Sequence, residues 1–495
     1  MIIKMKMASK SIFFRFIFSG FFIVFFSACS NKKSSVTDKK NTPNIILFVS
    51  DDHGIDALGS YGNSIIKTPN LDKLASEGIR FTNAYCTSAS CAASRSVILS
   101  GLYGHATGSY GHVHDYHHFS TYDNVQSLSK RLSNAGYLTA RIGKYHVAPE
   151  SVYVFDEVLE ADPRNTVEMA NASVDFLNGD KPFFLYFCTD DPHRGDPFNP
   201  EPWDAPNNFG NKKEGYVGVE EVIYNPKDVL VPEFLPDTKE TREEIAQYYQ
   251  SVSRIDQGFG KLMAHLKNSG KIDNTIVIYI SDNGMAFPGA KTTVYEPGIK
   301  LPCIIKDPTK TNKGITNSAR ISWVDLTPTI LDMAQVDFNS DDFHGKSFYN
   351  ILDTEKPKGW DKIYASHTFH EITMYYPMRV VIDGDYKLIW NIAYPLDYPF
   401  ASDLWASSTW QAIYRNDQKY FGHKTVEAYI NRPEFELFNL SKDPNESNNL
   451  ANSDQYLDVF NAMKKKLKIF QQNTNDPWLI MWDNDASLQG TGVNL

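Results

Sequence analysis

Three short apolar runs in this chain each end in acids, amides or histidine. They are Asn44–Ser50, leading into Asp51 and Asp52; 182–187, leading toward Asp190, Asp191 and His193; and 275–280, leading into Ser281, Asp282, Asn283 and Gly284. Asp51, Asp52, Asp282 and Asn283 offer oxygen donors, the donor type of a hard cation such as calcium or magnesium. Taken singly, paired acids and Asp-Asn-Gly are ordinary solvated turns. Their shared position after an apolar run is what makes them a candidate site. Between the first two runs lies Cys91-Ala-Ala-Ser-Arg95, continuing as a helical pattern closed by Gly101. A cysteine at such a helix start sits where anions bind and a thiolate is favoured. It is either a small buried residue or a nucleophile, or the precursor of one.

The elements that must position these groups alternate between strand and helix. Helical stretches are expected over 70–78, 126–136, 246–270 and 323–335, with Gly78, Gly136 and Gly270 at the stops. Strands are expected at 137–143, 183–187, 275–280 and 302–306. This pattern gives an α/β fold, a large mostly parallel sheet sandwiched by helices. In such a sheet, ligands bind outside the carboxyl ends of the strands, so groups more than 200 residues apart meet at one edge. Residues 196–236, rich in Pro, Asn and Gly, read as a long loop near that site. Beyond about residue 380, strands at 383–390 and 435–438 and a helix over 455–472 suggest a smaller α+β domain with an antiparallel sheet. The expected division is 44–380 for the catalytic domain and 381–495 for the C-terminal domain.

The composition is that of a folded protein, 42% hydrophobic and 22% charged over 495 residues. A net charge of −10 without a basic block excludes nucleic-acid binding as a class. It leaves anionic ligands open, because local Lys, Arg and His clusters override a weak net field. Lys4, Lys6, Lys10 and Arg15 precede the apolar run 16–26 and Ser27-Ala28-Cys29. Residues 1–28 therefore read as an export signal resembling that of a bacterial lipoprotein, with Cys29 lipidated and 29–43 a flexible tether. The expected location is the periplasm or outer membrane, held by that lipid; a plain cleaved secretory signal gives the same export. Cys86, Cys188 and Cys303 read as small buried hydrophobes outside any disulfide framework.

The element Cys91-x-Ala93-x-Arg95 resembles the activation motif of the sulfatases of the alkaline phosphatase superfamily, in which the cysteine is oxidised to formylglycine. The resemblance extends through Asp51-Asp52, Gly143-Lys144-Tyr145-His146, Asp191-Pro192-His193, Ser281–Gly284, and Lys291 with 293–298. It implies a cation, calcium in preference to magnesium, held by Asp51, Asp52, Asp282, Asn283 and the modified Cys91. It further implies that Arg95, Lys144 and Lys291 neutralise the sulfuryl oxygens, that His193 protonates the leaving group, and that His146 takes a proton from the aldehyde hydrate. A maturation enzyme that oxidises Cys91 is an implied partner.

Within that family, 115–119, Phe287-Pro288, 366–379 and 476–478 resemble the branch acting on N-sulfated glucosamine. One departure is Lys291, where that branch carries Arg; both are cations, though not equivalent ones. The expected substrate is terminal N-sulfoglucosamine of heparan sulfate or heparin fragments, with His118, His367, His370 and Glu371 at the pocket rim. The alternatives are an exo-O-sulfatase on another sulfated glycan, a phosphate or phosphonate ester hydrolase, and a non-catalytic sulfated-glycan binder. A binder would have no use for an activatable cysteine. The histidines 112, 114, 117 and 118 form a cluster whose spacing fits no common zinc set. Arg379 has the alternative reading of an ion-pair former. A homodimer is compatible with the sequence without being indicated by it.

Overall fold

Strand β1 (Asn44–Ser50) is buried at every position, which is why it reads as a continuous apolar run instead of an alternating one. Ile45, Leu47 and Val49 enter one core while Ile46 and Phe48 enter another on the opposite face. Phe48 stacks on Phe187 with ring centroids 4.8 Å apart. The computed structural model describes residues 42–196 and 201–483. The signal expected over 1–28, Cys29, and the tether expected over 29–43 as far as residue 41 lie outside them. Among the described residues, no helix is long and apolar enough to cross a membrane.

The large sheet has eight strands: β1, β2 (Ile79–Tyr85), β3 (Leu138–Gly143), β4 (Glu157–Leu159), β5 (Phe183–Cys188), β6 (Thr275–Ser281), β7 (Lys300–Lys306) and β8 (Ile315–Ser322). Their order is β4-β3-β5-β1-β6-β7-β2-β8. All neighbours are parallel except around β7, which runs against β6 and β2. The central trio β5-β1-β6 is in register, Val49 facing Cys188 and Ser50 facing Ser281. Their carboxyl ends therefore emerge side by side, as the sequence implied.

The helix expected from residue 246 begins earlier and spans Lys239–Asn268, with Thr238 Oγ1 accepting from the Thr241 N–H. Its first turns bury a polar group, Glu244, so apolar periodicity does not mark them. Glu244 accepts from Arg194 Nη1 at 2.7 Å and Nη2 at 2.9 Å and from Thr409 Oγ1 at 2.7 Å. This pairing ties the helix to the segment after β5.

A four-stranded antiparallel sheet follows, built from β9 (Lys362–His367), β10 (Met378–Asp383), β11 (Tyr386–Asn391) and the strand Phe435–Asn439. It thus begins at Lys362. Its apolar face joins the same core as β1, through Val380, Leu388 and Leu437. The connection from β9 to β10 carries His370 and Glu371 back toward the large sheet's edge. Cys86, Cys188 and Cys303 are buried free thiols, as expected.

Candidate active site

The site grows from the ends of β1, β3, β5 and β6. Asp51 and Asp52 follow β1, and Asp282 and Asn283 follow β6; all four are fully buried. The Asp52 N–H donates to Asp282 Oδ1 at 3.0 Å, and Asn283 Nδ2 donates to Asp52 Oδ1 at 2.6 Å. Lys144 follows Gly143, whose φ of +77° and a Cβ position 2.1 Å from the Cys188 carbonyl admit only glycine. Cys91 opens the helix Cys91–Ser100, and Gly101, at φ +70°, closes it. One turn into that helix, Arg95 donates from Nε to Asp282 at 2.8 Å and from Nη2 to Asp51 at 3.4 Å.

Cations cover these acids from the solvent side. Lys144 bridges Asp51 and Asp190. Lys291 Nζ donates to Asp52 at 2.9 Å, to Asp403 at 3.3 Å and to His193 Nε2 at 2.9 Å. His193 Nδ1 lies 2.9 Å from the Arg194 carbonyl, so that nitrogen carries the proton and Nε2 faces the site. A cavity of about 590 Å³ opens above; its lining includes Lys144, His146, His193, Lys291, Glu371 and Asp403. A separate cavity of about 450 Å³ beside Phe234, Tyr295 and Phe421 contains none of these groups.

The electrostatics follow from this packing. Burial alone would raise the Asp51 carboxyl, but Lys144, His193 and Arg95 outweigh it and hold it well below its ordinary value. Asp282 is pushed well above, by burial and by Asp51, with Arg95 only partly offsetting them. Two neighbouring carboxylates thus compete for one guanidinium, the situation that a divalent cation resolves. Asn283 Oδ1 is fully buried with no hydrogen-bond partner. Three carboxylates and this orphan oxygen fit a hard cation, for which Asp51, Asp52, Asp282 and Asn283 would be the ligands.

Cys91 departs from one part of the sequence expectation, the thiolate favoured at a helix start. Burial, Asp51 and Asp52 push its thiol well above the ordinary value, overriding Lys291. The side chain is therefore held as a thiol, a poor nucleophile. Its Sγ donates to Asp52 Oδ1 at 3.6 Å. Burial, together with Lys291 and Lys144, lowers His193. His146 is lowered well below its usual range by burial, Lys144 and His112.

The fold therefore gathers Asp51, Asp52, Cys91, Arg95, Lys144, His146, His193, Asp282, Asn283 and Lys291 at one edge. His370 and Glu371 also line the cavity. Two rim expectations fall elsewhere. His367 is buried on the inward face of β9, with neither ring nitrogen partnered, and burial lowers it to about 3. His118 is exposed on its loop at φ +52°, outside the cavity lining. Arg379 is an ion-pair former, holding Asp476 at 2.5 and 2.9 Å. Sequence reading missed Asp403, an isolated acid in 401–405 with no motif around it, and Arg164, which grips Asp190 and Asp191.

Such a sheet edge, with its acids, its cysteine-led helix and its lysine cover, is a hydrolase site of the kind the sulfatase resemblance implies. The chain belongs to the sulfatase family, whose model matches residues 43–336. A second model, described as N-sulphoglucosamine sulphohydrolase, C-terminal, matches residues 289–403. The chain is 36% identical to N-sulphoglucosamine sulphohydrolase of Homo sapiens over 88% of its own length and 91% of the human protein. It is 27% identical to N-acetylglucosamine-6-O-sulfatase of Bacteroides thetaiotaomicron, covering 91% of this chain and 90% of that one. Among solved structures, a protein in complex with its substrate D-glucosamine-2-N,6-O-disulfate superposes with a TM-score of 0.63. It is 23% identical, with 88% of this chain and 99% of that chain covered.

Proposed function

We propose that this enzyme hydrolyses the N-linked sulfate of terminal glucosamine in heparan sulfate or heparin fragments, after oxidation of Cys91 to formylglycine by a maturation enzyme. The observation that carries the substrate is the 36% identity to the human sulphohydrolase across both halves of the chain. The second family model supports it, because residues 289–403 contain Lys291, His370, Glu371 and Asp403, which line one side of the cavity.

When present, a divalent cation (calcium in this reading) and the hydrated aldehyde at residue 91 supply charge neutralisation and a hydroxyl nucleophile. Arg95, Lys144 and Lys291 add fixed positive charge around the sulfuryl oxygens. His193, protonated at Nε2 as well once the anionic substrate is bound, delivers that proton to the leaving nitrogen. Its lowered pKa belongs to the protein without an anion; a bound sulfamate group offsets Lys291 and Lys144 and raises it. His146 accepts a proton from residue 91. Cys91 held as a thiol beside carboxylates explains why an unmodified cysteine would not serve.

Export as a lipid-anchored protein through Cys29 completes the reading and brings the enzyme to extracellular glycan. The substrate is tested by sulfate release from N-sulfoglucosamine against the 6-O- and 3-O-sulfated sugars. Release from the N-sulfated sugar is expected; release only from an O-sulfated one refutes the assignment.

A further inference from the structure

One wall of the cavity is a bank of imidazoles of which the catalytic reading uses only His146. His112 and His114 come from the loop after the Cys91 helix, and His146 comes from the end of β3. Each offers a ring nitrogen within 4.8 Å of the others. His114 Nδ1 and His146 Nε2 are 3.0 Å apart, close to the edge of about 3.3 Å implied by tetrahedral Zn–N bonds of about 2.0–2.1 Å. The three ring centroids lie 4.9, 5.0 and 4.9 Å from one another. In the sequence, 112 and 114 lacked a third partner; folding supplies it from 32 residues away.

The wall is held in place from behind. The His112 N–H donates to the His370 carbonyl at 2.9 Å, and the Ile372 N–H donates to His117 Nδ1 at 3.0 Å, pinning the loop to the β9–β10 connection. His112 Nε2 lies 3.0 Å from His370 Nε2, whose Nδ1 lies 2.9 Å from Ser90 Oγ. That relay engages one side of the His112 ring and leaves its buried Nδ1 with no hydrogen-bond partner. Asp115 Oδ2 lies 3.5 Å from His114 Nε2, the carboxylate–histidine pairing that orients imidazole ligands. An imidazole triad suits zinc, copper or nickel and not calcium.

We propose that His112, His114 and His146 form a second metal site, distinct from the oxygen-rich floor, that takes a borderline-soft divalent cation such as Zn²⁺. Its occupation inhibits the enzyme by withdrawing His146 from proton transfer. The inhibition rests on the role given to His146 above; the binding does not.

The test titrates the matured full-length protein with Zn²⁺ by calorimetry in excess Ca²⁺, with Co²⁺ as a spectroscopic probe. One Zn²⁺ per chain is expected, with the visible bands of four-coordinate, nitrogen-ligated Co²⁺. Asp115→Asn should weaken binding by about 10- to 100-fold, and His112→Gln and His114→Gln by more. Zn²⁺ should raise the melting temperature of the parent and leave that of His114→Gln unmoved. Absence of stoichiometric binding overturns the site, as does equal affinity in histidine variants that melt like the parent. Sulfate release should fall as Zn²⁺ saturates; full activity of the Zn²⁺-loaded protein overturns the inhibition. Because binding is read without substrate, failure of the substrate assignment leaves the metal result standing.

Discussion

Asp51, Asp52, Asp282 and Asn283 are fully buried at the ends of central strands, whereas His114, Asp115 and His118 sit exposed on a loop across the cavity. The floor is cross-braced by reciprocal bonds: Arg95 to Asp51 and Asp282, Lys291 to Asp52, Asn283 to Asp52. Removing Arg95 or Lys291 takes the nearest cation away from a buried carboxylate, Asp282 or Asp52, which is costly. The loop is tied instead to the β9–β10 connection, through the His112 N–H, His112 Nε2 and His117 Nδ1. The sheet thereby fixes the floor, while the loop's side chains are not tied into it.

Several substitutions break or sharpen this contrast. The largest loss of turnover should come from Cys91→Ala, about 10⁴-fold or more, as for other nucleophile deletions. Its melting temperature should stay near the parent's, because Sγ makes only a long contact to Asp52. His193→Gln should cost about 10²- to 10⁴-fold in turnover. In the parent, kcat/KM should fall as pH rises through the His193 pKa, which lies below 6.5 in the free enzyme. Lys291→Met removes one of the cations that depress it and should move that limb toward neutral pH. On the rim, Glu371→Gln should act mainly on KM, by less than about 10-fold, since the Glu371 carboxylate accepts from the Ser402 N–H and Oγ at the cavity edge.

Away from both regions, Asp476→Asn should leave turnover per folded molecule unchanged while costing about 3–5 kcal/mol in denaturant unfolding, because Arg379 is left buried and unpaired. Asp476 is lowered to about 2 in the folded state, Arg379 outweighing its burial. Its stabilisation is therefore present above about pH 4 and lost as pH falls toward 2. His53 and His105 act at higher pH. Burial lowers both to about 4, so the unfolded chain takes up their protons first. Stability should decline from about pH 6.5 to 4, seen as a lower melting temperature at pH 5 than at pH 7.

The same contrast explains what could be read from the chain alone. Parallel strands buried on both faces leave uninterrupted apolar runs, and their carboxyl ends must converge, so Asp51, Asp52, His193 and Asp282 were legible together. The Cys91–Gly101 helix was legible from its glycine stop. Strand order was not, because it depends on pairings such as β2 between β7 and β8 that no local pattern records. His367 illustrates register: it shares the inward face of β9 with Ile363 and Ala365, and a one-residue phase decides rim or core. Asp403 and the meeting of His112 with His146 arise only from tertiary contacts. The start of the helix at Lys239 was hidden because its buried face begins with an ion pair instead of apolar residues.

The account turns on residue 91 lying among carboxylates as a precursor and not as a thiolate. Mass spectrometry of the peptide containing Cys91, from protein assayed for sulfate release and produced with a maturation enzyme, tests this most directly. The expected result is an aldehyde in place of the thiol, in proportion to activity. An unmodified thiol in fully active protein would contradict it.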